Sequence, residues 1–102
     1  MRILVISRPQ FPVPPEQLPA LFQAFAAWRE RYRSVFESFD FFAGGGGGYG
    51  VANVADEATF NQMMLEYPFG PLSELEIRLV IDGDKALAQW QAALQAMAGA
   101  KK

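Results

Sequence analysis

VFESFDFFAGGGGGYGVANV, residues 35–54, is the stretch that decides the fold. Val35 to Phe42 is rich in Phe and predicts a strand, and Tyr49 to Val54 predicts a second one. Between them lie five consecutive glycines, Gly44 to Gly48. Because glycine adopts backbone conformations that other residues avoid, this run predicts a hairpin turn that joins two antiparallel strands.

The same glycines could hold a phosphate through their N–H groups. A phosphate-binding loop of that kind, however, continues with Lys and Ser or Thr and opens a helix. Tyr49 and a predicted strand follow here instead. We therefore interpret the run as a hairpin turn, or as a lid over a pocket if it has a functional role.

A strand and a helix precede the hairpin, and a helix follows it. Arg2 to Ser7 predicts a strand, and its residues Ile3 to Ile6 are apolar without alternation, which predicts burial on both faces. A helix is predicted from about Glu16, after a proline-rich connector. Asp56 predicts the N-cap of a second helix, which must end by Pro68.

The C-terminal third of the chain predicts one more strand and one more helix. Leu75 to Ile81 alternates between two sets of side chains, as a strand with one covered face does. A turn at Asp82-Gly83-Asp84 leads into a helix with a single apolar stripe. The stripe consists of Leu87, Trp90, Leu94 and Met97.

The element order is β-α-β-β-α-β plus a terminal helix, which predicts a ferredoxin-like split βαβ fold of the α+β class. The length predicts one domain over residues 1–102. Both helices of this fold cover one face of a four-stranded antiparallel sheet. Because the first strand is apolar on its other face too, that face needs cover, which a second copy of the chain supplies most simply. We therefore expect a homo-oligomer, at least a dimer.

Composition restricts the chemistry that this chain can perform. It contains no His and no Cys, which removes disulfides, thiolate nucleophiles, His-ligated haem and zinc sites built from those residues. The net charge of −2 provides no basic surface for nucleic acid. No apolar run approaches the ~20 residues of a membrane-spanning helix. We expect a cytoplasmic protein without metal or cofactor, in which carboxylates, Tyr, Lys or Arg perform any acid–base step.

Three parts of the sequence resemble the muconolactone isomerase family. They are the hairpin Phe42-Ala43-Gly44 with Tyr49, Val51 and Val54 after it, the turn Tyr67-Pro68-Phe69-Gly70-Pro71, and the strand start Leu75-Glu76-Ile77. The resemblance implies a dimeric α/β barrel, often assembled into larger rings, with a small-molecule pocket. The family's His after Ala-Gly is replaced here by Gly45, and the family's helical carboxylate falls among Gln23 to Phe25. We therefore transfer no catalytic residue and expect a reaction other than muconolactone isomerisation.

Two carboxylates in the second strand are the first candidates for catalysis. Strand alternation predicts that Asp40 and Glu37 lie on opposite faces, so one of them should point toward an apolar side. Desolvation there would raise the pKa of that carboxyl group and suit it to general acid–base work. The alternative is an edge strand that uses a charge against aggregation.

Polar residues on the other strands are candidates for substrate contact. Tyr49 and Asn53 alternate onto one face of a central strand, where they could line a pocket or form a hydrogen-bonded core pair. Arg78 shares a face with Glu76, and Arg8 follows the first strand. Either arginine could hold an anionic group, and either could simply be solvated.

These candidates support three hypotheses. The first is a cofactor-independent isomerase or cyclase for a hydrophobic small molecule, in which Asp40 or Glu37 moves the proton while Tyr49, Asn53 or an arginine stabilises an enolate-like charge. The second is a catalytically silent ligand-binding or assembly protein on the same fold. The third is cofactor-free oxygenation of an electron-rich substrate. A pocket with a buried carboxylate would favour the first hypothesis, and a pocket filled by Phe side chains would favour the second.

Overall fold

The computed structural model describes residues 1–100 and has the predicted element order. The strands are β1 (Arg2–Pro9), β2 (Phe36–Phe41), β3 (Gly48–Asn53) and β4 (Ser73–Val80). The helices are α1 (Leu18–Arg31), α2 (Glu57–Leu65) and α3 (Gly83–Ala100), and short 3₁₀ turns lie at Pro15–Gln17, Arg33–Val35 and Gly70–Leu72. None of the helices within residues 1–100 combines the length and hydropathy needed to cross a bilayer.

The four strands form one antiparallel sheet in the order β2-β3-β1-β4. In the central strand β1, Val5 lies opposite Gly50 of β3 on one side and Ile77 of β4 on the other. We call the sheet face that carries Ile3 and Val5 the inner face, and the opposite one the outer face. Since α1 and α2 both pack on the inner face, this is the predicted ferredoxin-like α+β arrangement.

The core lies between the inner face and the two helices. Its buried side chains are Ile3, Val5, Trp28, Ala52, Val54 and Met63. The Trp28 indole Nε1 donates a hydrogen bond to the Met63 carbonyl oxygen at 2.9 Å, which ties α1 to α2. As predicted, Asp56 caps α2, and its carboxylate accepts a hydrogen bond from the Thr59 N–H at 2.8 Å.

A β-bulge in β2 corrects the predicted placement of the two carboxylates. Phe36 lies opposite Ala52, but the next partner of β3, Val51, lies opposite Ser38, which leaves Glu37 as the extra residue. The bulge shifts the alternation by one position, so Glu37 and Asp40 both reach the outer face. The prediction of opposite faces was wrong because it assumed an uninterrupted strand.

The glycine run forms the hairpin turn between β2 and β3, as predicted. Gly44 to Gly47 all have positive φ angles, between 84° and 99°, a region that other residues rarely occupy. The Phe42 N–H donates to the Gly47 carbonyl oxygen at 2.9 Å and closes the turn. A Cβ atom on Gly47 would also overlap the carbonyl oxygen of Ser7. Backbone geometry therefore explains why glycine is needed here.

The terminal helix α3 projects away from the rest of the chain. The radius of gyration is 18.4 Å, against about 13 Å for a compact chain of 100 residues. The predicted apolar stripe of α3 is exposed, with Trp90 at 70%. On β4, Leu79 belongs to the inner face but is 74% exposed, because α1 and α2 do not extend over this strand. The single chain thus leaves the apolar stripe of α3 and the inner face of β4 uncovered.

Candidate functional site

A cavity of about 710 Å³ lies between α1 and the inner face of the sheet, next to the hairpin. This volume falls within the about 300–1,000 Å³ of typical small-molecule sites. Aromatic side chains dominate its walls, chiefly Phe22, Phe25, Trp28, Phe39, Phe41 and Phe69. The Phe side chains thus line the space rather than fill it. We call it the aromatic cavity.

The walls are placed by three different local patterns. Phe22 and Phe25 are one helical turn apart on α1, so they share one side of the helix. Phe39 and Phe41 are two residues apart on β2, and the bulge directs both to the inner face. Phe69 lies in the turn after α2, and its ring centroid is 5.6 Å from that of Phe25. Contacts between these rings fix the positions of the cavity walls relative to one another.

Polar groups inside the cavity come from three residues that sequence reasoning did not assign to the site. The Ser7 and Tyr67 hydroxyl oxygens are 2.8 Å apart and share a hydrogen bond, and Ser73 also lines the cavity. Burial raises the pKa of the Tyr67 hydroxyl, while hydrogen bonding to Ser7 and Ser73 opposes part of that rise. Tyr67 is therefore protonated at neutral pH and available as a hydrogen-bond donor or acceptor.

One signal for this cluster was present in the sequence. Ser7 follows Ile3 and Val5 at a spacing of two, which places a hydroxyl group on the face that the helices bury. A polar residue on a buried face needs a partner, and that partner is Tyr67. The sequence interpretation instead used Tyr67 as the first residue of the turn Tyr67-Pro68-Phe69-Gly70-Pro71. Its partner could not be identified because the two residues are 60 positions apart.

The structure brings Asp40 and Tyr49 together. They lie directly opposite each other on β2 and β3, and both border the aromatic cavity. A side-chain hydrogen bond to Asp40, together with its negative charge, raises the pKa of Tyr49. The sheet register directs both side chains to the outer face, where both residues are exposed. The expectation of a carboxylate in an apolar setting is therefore wrong for Asp40 in the single chain, while its catalytic role stays a prediction.

The remaining carboxylate, Glu37, is held away from the cavity. Its two carboxylate oxygens accept hydrogen bonds from the Arg2 Nε at 3.1 and 3.2 Å, on the outer face. Asn53 lies opposite Arg2 in the register of β1 and β3 and is exposed. Neither Glu37 nor Asn53 borders the aromatic cavity.

The two candidate arginines are also on the outer face. Arg8 lies opposite Glu74, and Arg78 lies opposite Leu4, both across the pairing of β1 and β4. Both arginines are exposed and neither borders the aromatic cavity. Their roles in substrate binding remain predictions. Among the described residues, no group of three or more His, Cys, Asp or Glu side chains is arranged to hold a metal ion.

The sheet order and the cavity define the class, a ferredoxin-like fold of the type found in dimeric α/β barrels. No protein-family model and no curated protein sequence matches the chain. Among solved structures, muconolactone isomerase matches with a TM-score of 0.72 at 17% identity, over 80% of this chain and 90% of that one.

A second solved structure has the same fold. It is 5-chloro-2-hydroxyhydroquinone dehydrochlorinase from Burkholderia phenoliruptrix, in complex with 2,5-dihydroxybenzoquinone. It matches with a TM-score of 0.62 at 14% identity, over 83% of this chain and 98% of that one. The two comparisons confirm the muconolactone isomerase-like fold that the hairpin and the Tyr67–Pro71 turn predict, and at these identities they show the fold alone.

Proposed function

We propose that this chain is a cofactor-independent enzyme of the isomerase or cyclase type that acts on a hydrophobic small molecule by proton transfer. The observation that carries the proposal is the aromatic cavity. Its volume suits a small molecule, and hydroxyl groups line part of its wall. The two solved structures compared above are enzymes whose names describe reactions of small organic molecules. That likeness supports the class of activity and leaves the substrate open.

In this proposal Asp40 carries the proton. Among the described residues it is the acidic residue that borders the aromatic cavity, and Tyr49, whose pKa it raises, lies directly opposite it on β3. Tyr49 would stabilise the charge that develops on the substrate. Glu37 is the second candidate. Asn53, Arg78 and Arg8 would contact a substrate only if the outer face forms part of a site.

Proton transfer can be tested before the natural substrate is identified. The protein would be incubated in D₂O with a panel of unsaturated lactones and hydroxylated quinones, and deuterium incorporation would be followed by NMR. We expect exchange with the wild type and a loss of about 10²–10⁴-fold for Asp40→Asn, with the circular dichroism spectrum unchanged. Glu37→Gln tests the second candidate in the same assay. Full activity in both variants would contradict acid–base catalysis by these carboxylates.

The second candidate function is ligand binding without catalysis. It is favoured by one observation, the exposure of both Asp40 and Glu37 in the single chain. The same experiment separates the two functions. Binding of panel members without any deuterium incorporation would favour the silent binding protein.

We also propose that the chain assembles into a homodimer or a larger ring. The outer face carries Leu4, Ile6 and Val51 on its central strands, and α1 and α2 both lie on the other side of the sheet. The exposed stripe of α3 is a second apolar surface that a neighbouring copy can cover. Packing of two outer faces against each other would bury the first of these surfaces.

Sedimentation at micromolar concentration tests the assembly. We expect at least a dimer for the wild type and a lower sedimentation coefficient for Leu94→Glu, which places a charge on the α3 stripe. Gln95→Glu adds the same charge next to the stripe and should leave the assembly intact. A stable, folded monomer of the wild-type chain would exclude the proposed assembly.

A further inference from the structure

Three hydroxyl-bearing side chains line the interior of the aromatic cavity. Ser7 lies on β1, Tyr67 in the turn after α2 and Ser73 at the start of β4, and all three line the cavity. Hydroxyl groups both donate and accept hydrogen bonds, so this cluster can bind either a carbonyl or a hydroxyl oxygen. A hydrogen bond of this kind orients a ligand but does not neutralise a full charge.

The charges around the cavity disfavour an anionic ligand. Among the described residues that line it, none is Lys or Arg, and the acidic Asp40 stands at its border. The Arg29 guanidinium stacks on the Phe39 ring at 4.3 Å from the centroid, but Arg29 does not line the cavity. A carboxylate that entered this space would lose its hydration without gaining a cationic partner.

A cationic ligand is also disfavoured. Aromatic rings attract cations, but a buried cation also needs a counter-charge. The sheet register directs the Asp40 side chain toward the outer face, beside Tyr49, so this carboxylate lies at the border of the cavity and not among its interior walls. The remaining walls are apolar, apart from the three hydroxyl groups.

We infer that the substrate is an uncharged, largely hydrophobic molecule that places one carbonyl or hydroxyl oxygen against the Tyr67 hydroxyl group, with Ser7 and Ser73 beside it. This inference rests on the proposed function, because it describes the ligand of the same cavity. It assigns Tyr67 as the group that sets specificity. The raised pKa of Tyr67 agrees with it, since a neutral phenol is the form that binds a neutral oxygen.

Equilibrium dialysis with four probes of equal ring size tests the inference. Naphthalene has no polar group, 2-naphthol has a neutral hydroxyl, 2-naphthoate is anionic near neutral pH, and 2-naphthyltrimethylammonium is a fixed cation. We expect 2-naphthol to bind about 10-fold or more tightly than 2-naphthoate. The cationic probe should also bind more weakly than 2-naphthol.

Tyr67→Phe keeps the ring and removes the hydroxyl group. It should weaken 2-naphthol binding by about 2- to 10-fold, the range of one net hydrogen bond, and leave naphthalene binding unchanged. The matched control is Tyr32→Phe, because Tyr32 packs on Trp28 but does not line the cavity. Ser7→Ala provides an independent second variant with the same expected direction.

The possible outcomes separate this inference from the proposed function. If none of the four probes binds, the aromatic cavity is not a ligand site, and both the proposed function and this inference fail. If 2-naphthoate or the cation binds as tightly as 2-naphthol, or if Tyr67→Phe affects naphthalene and 2-naphthol equally, only the inference is overturned. Loss of tight 2-naphthoate binding in Arg29→Met would then assign anion recognition to Arg29, whose buried Nη1 has no hydrogen-bond partner.

Discussion

Replacement of Gly47 by Ala should destabilise the chain more than the same change elsewhere in the glycine run. Gly47 has a φ angle of 99°, and Gly45 has one of 96°, so the strain from the left-handed backbone is about equal at the two positions. The two positions differ in the space that is available for a Cβ atom. A Cβ on Gly47 overlaps the Ser7 carbonyl oxygen of β1, whereas a Cβ on Gly45 meets nothing within 4 Å.

The magnitudes follow from these two terms. Backbone strain of an L-residue in the left-handed region costs about 1–2 kcal/mol, which is the whole expected effect of Gly45→Ala. Gly47→Ala adds the cost of forcing the hairpin away from β1, about 1–3 kcal/mol for a well-packed site. We therefore expect a loss of about 2–5 kcal/mol in the free energy of unfolding for Gly47→Ala.

Urea unfolding followed by circular dichroism measures both variants against the wild type. All samples need the same protein concentration, because assembly makes apparent stability depend on it. Equal losses for Gly45→Ala and Gly47→Ala would refute the steric argument and show that the hairpin relaxes freely. A smaller loss at Gly47 than at Gly45 would refute it as well.

Three further predictions concern the core and the titrating groups. Trp28→Phe should cost about 2–4 kcal/mol, because it leaves the Met63 carbonyl without its buried donor and opens space in the core; a loss below about 1 kcal/mol in urea unfolding would contradict this. Because burial raises the pKa of Tyr67, its stabilising contribution is complete below the ordinary value of 10.0 and is lost as the pH rises from there through the folded-state value. Urea unfolding at a series of pH values should therefore show that Tyr67→Phe loses stability less steeply than the wild type as the pH rises above 10.0. Hydrogen bonding to Thr59 lowers the pKa of Asp56, so its contribution is complete above 3.8 and is lost as the pH falls through the folded-state value. Thermal unfolding scans at a series of pH values should therefore show a smaller fall in stability at acidic pH for Asp56→Asn than for the wild type. An equal fall in the two proteins would show that the cap does not titrate as expected.

The order of the elements follows from local patterns. Prolines, the Asp56 cap, the glycine run and the periods of apolar residues each act over a few neighbouring positions, so the chain can be interpreted segment by segment. The apolar stripe of α3 was identified in the same way. The exposure of this stripe could not be predicted from local patterns, because it depends on where the other elements lie.

The site depended on features that local patterns do not contain. One extra residue, Glu37, was enough to move Asp40 and Glu37 onto the same face, because every side chain after a bulge changes sides. A bulge leaves no clear mark in a strand where Phe occupies so many positions.

Local composition therefore specified which strands and helices form and how they follow one another. Packing alone decided which residues meet across the sheet, where the aromatic cavity opens and that Ser7 reaches Tyr67 inside it. The physical reason is the range of the interactions. Backbone preferences and caps act within a turn, whereas the cavity arises from contacts such as that between Ser7 and Tyr67, 60 positions apart, which exist only once the sheet and helices have come together.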